Sequence, residues 1–260
     1  MKAAIVIPAR YGSSRFSGKP LHIISGISML ERVWRIAKSV PNCSRVVVAT
    51  EDVRIVSHAQ SFGAEAVLTS DQCSNGTERV YAAIDAAQIT EDILLNLQGD
   101  ALLTPPWVLE TMILEIQKER DVDIVTPAVR LEGEALTIFR QHKQTNPASG
   151  STVVFDQNFN ALYFSKAILP QIRKEGFTSI YRHIGLYGYR RDSLKTYVEL
   201  SPTPLEQTEG LEQLRALEHG MKVRVAVVDY KGRTHGSVDA PEDVSLIEDI
   251  IKREGELVIK

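Results

Sequence analysis

The sequence predicts an α/β fold, a mostly parallel sheet flanked by helices with a smaller β-containing subdomain inserted in it. Three observations carry that prediction. Apolar runs of strand length alternate with segments of helical period through residue 128. From about Leu131 the rhythm changes to a polar stretch followed by two short apolar runs. A core-like strand, Val223–Val228, and a last helical segment, Pro241–Arg253, then restore the first pattern.

The elements follow in order. Strands are expected at Ala3–Ile7, Arg45–Ala49, Ala64–Leu68, Ile93–Leu97 and Ile124–Ala128, each a short apolar run bounded by polar or turn residues. Helices are expected at Met29–Ser39, Val53–Phe62, Thr77–Ala87 and Pro106–Glu119. In the first, Leu30, Val33, Trp34 and Ala37 recur at i, i+3, i+4 and i+7, one apolar stripe. Pro106 suits a first helical turn, where its missing N–H costs nothing. Glu132–Pro147 reads as polar and irregular. Thr152–Phe155 and Ala161–Phe164, joined through Asp156-Gln157-Asn158, read as a hairpin. His183–Arg190 reads as one strand, and Gly210–His219 as a helix with Gly220 just past its end. The whole chain, 1–260, reads as one domain with an insertion at about 131–203.

Composition narrows the classes. The 260 residues are 43% hydrophobic and 24% charged, ordinary for a globular protein. Thirty Lys and Arg against 33 Asp and Glu give a net charge of −3, so no global basic excess points to nucleic acid. Two cysteines, Cys43 and Cys73, without CxxC spacing argue against a disulfide framework and fit a reducing cytoplasm. No apolar run approaches the roughly 18 residues of a membrane span, and the short run before Pro8 reads as a first strand.

Four clusters carry candidate chemistry, three of them near expected strand ends, where open α/β sheets bind ligands. After the first strand, Arg10, Arg15 and Lys19 share a loop with Gly12 and Gly18. Glycines admit close approach of backbone N–H groups to phosphate oxygens, and cations offset the charge of a triphosphate. Pro20 after Lys19 departs from the Walker pattern and argues against a helix there. The second cluster is Ser74-Asn75-Gly76-Thr77-Glu78-Arg79, where Asn75 or Thr77 can cap a helix. Arg79 in a first turn opposes the helix dipole, which points to an anionic partner such as a ligand carboxylate. The third is Gln98-Gly99-Asp100, a carboxylate at a strand terminus and a natural Mg²⁺ ligand. The fourth places Asp239 in a loop before the last helix, as a second metal carboxylate or as a cap. Two further segments, Tyr181–Tyr187 and Glu209–Gln213, read as a sugar-binding surface or a structural face. Strand alternation places His183, Gly185 and Tyr187 on one face.

Taken in order, these segments resemble the CMP-Kdo synthetases, the 3-deoxy-manno-octulosonate cytidylyltransferases. The likeness runs through IPARYGSSRFSGKPL from Ile7, VVVATED from Val46, GTERV from Gly76, NLQGD from Asn96, ALYFSK from Ala161, RHIGLYGYR from Arg182, LEQLRALEHG from Leu211 and VDAPEDV from Val238. It implies a Rossmann-like nucleotidyltransferase sheet. It also implies transfer of CMP from CTP to the anomeric hydroxyl of a 3-deoxy-octulosonate sugar, with release of pyrophosphate, in lipopolysaccharide biosynthesis. By that likeness Arg10, Arg15, Lys19 and Asp100 are catalytic. Pro8, Ala9 and Asn75 meet the nucleotide. Arg79, Gln98, His183, Tyr187, Glu212 and Gln213 line the sugar pocket. Asp100 and Asp239 bind Mg²⁺. A cytoplasmic homodimer is implied too, with no nucleic acid or membrane partner, and the inserted strands 152–155 and 161–164 are its candidate interface.

Three departures bear on the acceptor. Asp100 is followed by Ala101-Leu102 where the family usually has Glu-Pro, Asn75 replaces a serine, and Glu51 replaces an aspartate. They leave amino-Kdo, a sialic-acid-like sugar or a smaller acid as alternative acceptors, and a non-catalytic nucleotide-binding homologue as the alternative class. No side chain stands out as a general base.

Overall fold

The computed structural model describes every residue except Ser13, Ser14, Glu175, Phe177, Thr178, Asp239, Ile259 and Lys260. In chain order the first elements are β1 (Ala3–Pro8), β2 (Ile23–Ile24), β3 (Ile27–Ser28), α1 (Met29–Lys38), β4 (Cys43–Thr50) and α2 (Val53–Ser61). There follow β5 (Glu65–Leu68), α3 (Gly76–Ala86), β6 (Ile93–Asn96) and α4 (Pro106–Lys118). Next come β7 (Ile124–Leu131), α5 (Gly133–Thr145), β8 (Ser151–Phe155), β9 (Ala161–Ser165), β10 (Ile180–His183) and β11 (Tyr187–Arg190). The last are α6 (Arg191–Glu199), α7 (Pro204–Glu209), α8 (Gln213–Glu218), β12 (Val223–Val228) and α9 (Asp243–Glu254). The chain divides into two compact units, residues 1–113 with 230–260, and residues 114–229.

The first unit carries four parallel strands in the order β5-β4-β1-β6. β1 is buried throughout, which explains its unbroken apolar run: a parallel strand covered on both faces has no solvent side to alternate with. The order matters for function. From β1 the chain moves outward to β4 and β5, then returns with β6 on the opposite side of β1. The loops that leave β1 and β6 therefore diverge from neighbouring strands, which is the topological switch point where such sheets open a crevice. The two loops touch: a Cβ on Gly99 would lie 3.1 Å from the Pro8 carbonyl oxygen, so only glycine fits without a shift.

The first helices of this unit start within a residue of where their sequences predict. Ser28 accepts from the Glu31 N–H at 3.1 Å and caps α1, and Leu30, Val33 and Ala37 of the expected stripe are buried. After Lys19 the chain makes a single 3-10 turn, Lys19–Leu21, with Pro20 at its start, and no α-helix. The last helix begins at Asp243, two residues after the expected Pro241, and Asp243 accepts from the Ala240 N–H at 2.8 Å.

The second unit is organised around β7. On one side β12 runs parallel to it from Val223↔Ile124 to Val228↔Val129. On the other, β10 and β11 pair with it antiparallel, followed outward by β8 and β9. β8 and β9 form the expected hairpin, with a register irregularity at Val154/Phe155.

Three expectations are corrected here. The single strand expected at His183–Arg190 is two strands. His183 faces Ala128 and Gly188 faces Val125, so five steps on one strand oppose three on the other. The surplus forms a bulge at 184–186, held by Thr126 Oγ1 donating to the Leu186 carbonyl at 2.8 Å. Of the three residues placed on one face by alternation, His183 and Tyr187 do come together, their ring centroids 5.8 Å apart, while Gly185 lies exposed in the bulge. The polar stretch 132–147 contains helix α5, which buries chiefly Phe139 and so lacks the apolar stripe that marks a helix. The helix expected at Gly210–His219 is the shorter α8, which begins at Gln213, and a separate helix not expected from sequence, α7, precedes it and ends at Gly210, whose φ is +62°. The Thr203-Pro204-Leu205-Glu206 segment has the T-x-x-E pattern and a first-turn proline, and Glu206 accepts from the Thr203 N–H at 3.2 Å, a signal that locates α7 from sequence.

Candidate active site

The first unit holds a cavity of about 370 Å³ lined by the β1 loop, the entrance to α3 and the β6 loop. Pro8, Ala9, Arg10, Arg15, Lys19, Asn75, Arg79, Gln98 and Asp100, all singled out from sequence, line it together with Cys73, Ser74, Gly76 and Gly99. Three stretches distant in sequence thus meet at the switch point.

The cationic loop is closed at its neck. The Gly18 N–H donates to the Tyr11 carbonyl at 2.9 Å, and Gly18 adopts φ +69° against the Tyr11 ring. Arg10 and Arg15 are exposed beside this neck. Lys19 is directed inward. Its Nζ donates to Asp100 Oδ2 at 2.7 Å and to the Val238 carbonyl at 2.8 Å.

Asn75 is the N-cap of α3. Its Oδ1 accepts from the Glu78 N–H at 2.9 Å, and its Nδ2 donates to Glu78 Oε1 at 3.1 Å. Glu78 in turn accepts from the Ser74 N–H at 2.7 Å. Arg79 is buried, as its unfavourable dipole position demands a partner. That partner lies within the protein: Nη2 is 3.2 Å from Glu51 Oε2, and Nη1 donates to Thr69 Oγ1 at 2.7 Å and the Ser70 carbonyl at 3.3 Å. Gln98 donates to Asn96 Oδ1 at 2.9 Å, and Asn96 Nδ2 donates to Thr77 Oγ1 at 3.3 Å, so the Gln98 amide is oriented from behind. A Cβ on Gly76 would sit 2.7 Å from Gln98 Nε2, so glycine there lets the Gln98 amide keep this position.

The second unit gathers His183, Tyr187 and Gln213 in one buried network. Tyr187 OH donates to Gln213 Oε1 at 2.9 Å, which aims Gln213 Nε2 at His183 Nδ1, 3.4 Å away. Thr126 spends its hydroxyl proton on Leu186, so it accepts from His183 Nε2 at 2.8 Å. This fixes the tautomer with the proton on Nε2, leaving Nδ1 to accept from Gln213 and from Ser151 Oγ at 3.0 Å. Burial raises the Tyr187 phenol well above its ordinary range, with the Glu212 charge acting in the same direction, so it remains a donor. Glu212 is half-buried before α8, and its carbonyl accepts from Tyr197 OH at 2.9 Å. Glu209 is separated from Gln213 by the Gly210 break. It pins α7 to β9 instead, accepting from Ser165 Oγ at 2.6 Å and the Lys166 N–H at 2.7 Å.

Sequence reasoning named Glu51 only as a departure from the family pattern and passed over Tyr11, although the two meet beside the cavity. They pair across 40 residues, which no local motif announces.

The metal assignment rests on Asp100 and Asp239, and Asp239 lies outside the described residues. Among the described residues no cluster of three His, Cys, Asp or Glu side chains is placed to hold a metal. Asp100 Oδ2 and the Val238 carbonyl nevertheless converge on one cation, the Lys19 ammonium. Hard oxygen donors so placed fit Mg²⁺, which takes one or two carboxylates and completes its shell with phosphate oxygens and water.

A crevice at the switch point of a parallel sheet, lined by cations and glycines with one carboxylate among them, is the site of a nucleotide-handling α/β protein. The family model described as Cytidylyltransferase matches residues 4–223. The chain is 52% identical over 260 residues, 99% of its length and 100% of the other, to a 3-deoxy-manno-octulosonate cytidylyltransferase of Maricaulis maris. It is 39% identical, over 95% of its length and 98% of the other, to an 8-amino-3,8-dideoxy-manno-octulosonate cytidylyltransferase of Shewanella pealeana. Among solved structures, a CMP:2-keto-3-deoxy-manno-octonic acid synthetase complexed with CTP superposes with a TM-score of 0.87 at 32% identity, covering 98% of this chain and 100% of that one. The chain belongs to the 3-deoxy-manno-octulosonate cytidylyltransferase family.

Proposed function

We propose that the chain transfers CMP from CTP to the anomeric hydroxyl of a 3-deoxy-octulosonate sugar acid, Kdo or a close analogue, and releases pyrophosphate. The observation that carries this reading is the cationic crevice at the switch point of a chain 52% identical, end to end, to a named Kdo cytidylyltransferase. The sugar oxygen attacks the α-phosphorus, a new O–P bond forms, the bond from that phosphorus to the β-phosphate bridge oxygen breaks, and the hydroxyl proton is released. Little covalent work falls to the protein, so positioning and charge stabilisation dominate.

Arg10, Arg15 and Lys19 hold the triphosphate and offset the charge that builds on the leaving pyrophosphate. Pro8, Ala9 and Asn75 meet the nucleotide. Arg79 and Gln98 of the crevice, and separately His183, Tyr187, Glu212 and Gln213 of the second unit, are the residues we assign to acceptor recognition. In the buried network Tyr187 and Gln213 orient His183 instead of offering free polar atoms. Asp100 and Asp239 would hold Mg²⁺, which supplies further charge neutralisation on phosphate oxygens when bound. Lys19 then trades Asp100 for phosphate.

The reading includes a homodimer through the β8–β9 hairpin, where Leu162 and Phe159 are exposed. It also includes a cytoplasmic location, in keeping with the free cysteines Cys43 and Cys73. Among the described residues no helix is long and apolar enough to cross a membrane.

The test is pyrophosphate release with CTP, Mg²⁺ and Kdo, beside 8-amino-Kdo and a sialic acid. Turnover with Kdo supports the reading. Turnover only with another acid moves the acceptor. CTP binding without turnover on any of the three selects the non-catalytic homologue.

A further inference from the structure

Four cations, Arg10, Arg15, Lys19 and Arg79, face one cavity and repel each other before any anion arrives. Among the described residues Asp100 and Glu51 pair with two of them, Lys19 and Arg79, and the two carboxylates are differently placed. Asp100 lines the cavity and pairs with Lys19. Glu51 is not among the lining residues, yet it reaches two parts of the site from behind. Its Oε1 accepts from the Tyr11 N–H at 2.8 Å, and its Oε2 faces Arg79 Nη2 at 3.2 Å.

Tyr11 is the neck of the cationic loop. Its carbonyl accepts from the Gly18 N–H at 2.9 Å, and its ring lies between Gly18 and the Arg54 guanidinium, 3.4 Å from the ring centroid. Arg54 is itself held by Asp52, through Nε to Oδ1 at 2.9 Å and Nη2 to Oδ2 at 2.5 Å. The β4–α2 corner, residues 51–54, thus grips the loop at one residue, and Glu51 also reaches α3 through Arg79.

We propose that Glu51 is a positioning residue for the triphosphate. One carboxylate fixes the neck of the loop that carries Arg10, Arg15 and Lys19, and sets the guanidinium of Arg79 against the same cavity. This role rests on the CTP reading above. Because Glu51 does not line the cavity, it remains as a counterion when the nucleotide enters, whereas Asp100 is released from Lys19 for the metal. The extra methylene of glutamate over aspartate lets one carboxylate span both partners.

The experiment compares the full-length wild type with Glu51→Ala, Glu51→Gln and Glu51→Asp. It measures CTP affinity by calorimetry and amide exchange across residues 9–19. In Glu51→Ala the loop is expected to exchange at least tenfold faster and CTP to bind at least tenfold more weakly, about 1.4 kcal/mol. Glu51→Gln keeps an oxygen for the Tyr11 N–H and loses the charge facing Arg79, so it restores loop protection and only part of the affinity. Glu51→Asp, one methylene short, falls between wild type and alanine in both. Unchanged loop exchange in Glu51→Ala, or CTP affinity within twofold of wild type, overturns the proposal. So does a fall in melting temperature with affinity intact, the mark of a merely structural residue. A wild-type chain that fails to bind CTP removes the nucleotide reading itself, and the exchange comparison then decides the loop anchor alone.

Discussion

Lys19 Nζ lies 2.7 Å from Asp100 Oδ2, across 81 residues of sequence. The pair joins the loop after β1 to the loop after β6, and the Val238 carbonyl completes the cradle at 2.8 Å. A carboxylate and a carbonyl thus converge on one ammonium, whose charge offsets that of Asp100.

Asp100→Asn preserves shape and removes the charge. Pyrophosphate release is expected to fall by about 10²-fold or more, the scale of losing one preorganised charge contact in a transition state. The melting temperature stays close to wild type, because the Asp100 side chain is 28% exposed and its ion pair is partly solvated. Turnover within tenfold of wild type would remove Asp100 from the chemistry.

Gly76→Ala probes the α3 entrance. The new Cβ would meet Gln98 Nε2 at 2.7 Å and Oε1 at 3.0 Å. The amide end swings away and its hydrogen bond to Asn96 is lost, while the helix itself gains slightly from alanine. We expect a rise in KM of about tenfold, one missing oriented hydrogen bond. In Gln98→Ala the clash has no object, so adding Gly76→Ala there changes little. Additive losses would show that Gly76 acts through something other than Gln98.

Glu206 and Arg215 set an acid-dependent part of the stability. Burial pushes the Glu206 carboxyl up, but two hydrogen bonds from Arg215, the Thr203 N–H and the Arg215 charge together bring it below its ordinary value. The same pairing raises Arg215. A carboxyl lowered in the native state contributes fully above its unfolded value of about 4.3 and loses that contribution as pH falls through the native one. Glu206→Gln is therefore less stable than wild type at pH 7, and the gap narrows as pH drops below about 4.3. Thermal melts across pH 2–7 measure it, and a gap constant with pH would refute the assignment.

Tyr187→Phe deletes the first donor of the buried chain from Tyr187 through Gln213 to His183. Gln213 Oε1 loses its partner in a site closed to water, at a cost of about 1–3 kcal/mol in urea unfolding. Tyr187→Phe combined with Gln213→Leu removes both polar partners, so its cost should be smaller than the sum of the single costs. A sum that is strictly additive would mean that the two side chains do not act as a unit.

The sequence by itself determined the parallel half of the fold, because β1, β4 and β6 are continuous apolar runs and the helices between them carry caps and stripes that act within a few residues. It also picked out residues that line the crevice of the first unit, since Arg10, Lys19, Asn75 and Asp100 all lie in loops after strands. Tertiary structure decided the rest. Helix α5 buries one aromatic and reads as polar. The strand pair β10–β11 is split by a bulge whose holder, Thr126, is 60 residues from its Leu186 acceptor. Arg79 promised an anion by its place on the helix dipole, and only the folding of β4 beside β1 showed that anion to be Glu51. Periodicity reports what a residue does for its own element, while the partner of a charge is chosen by which strands lie side by side.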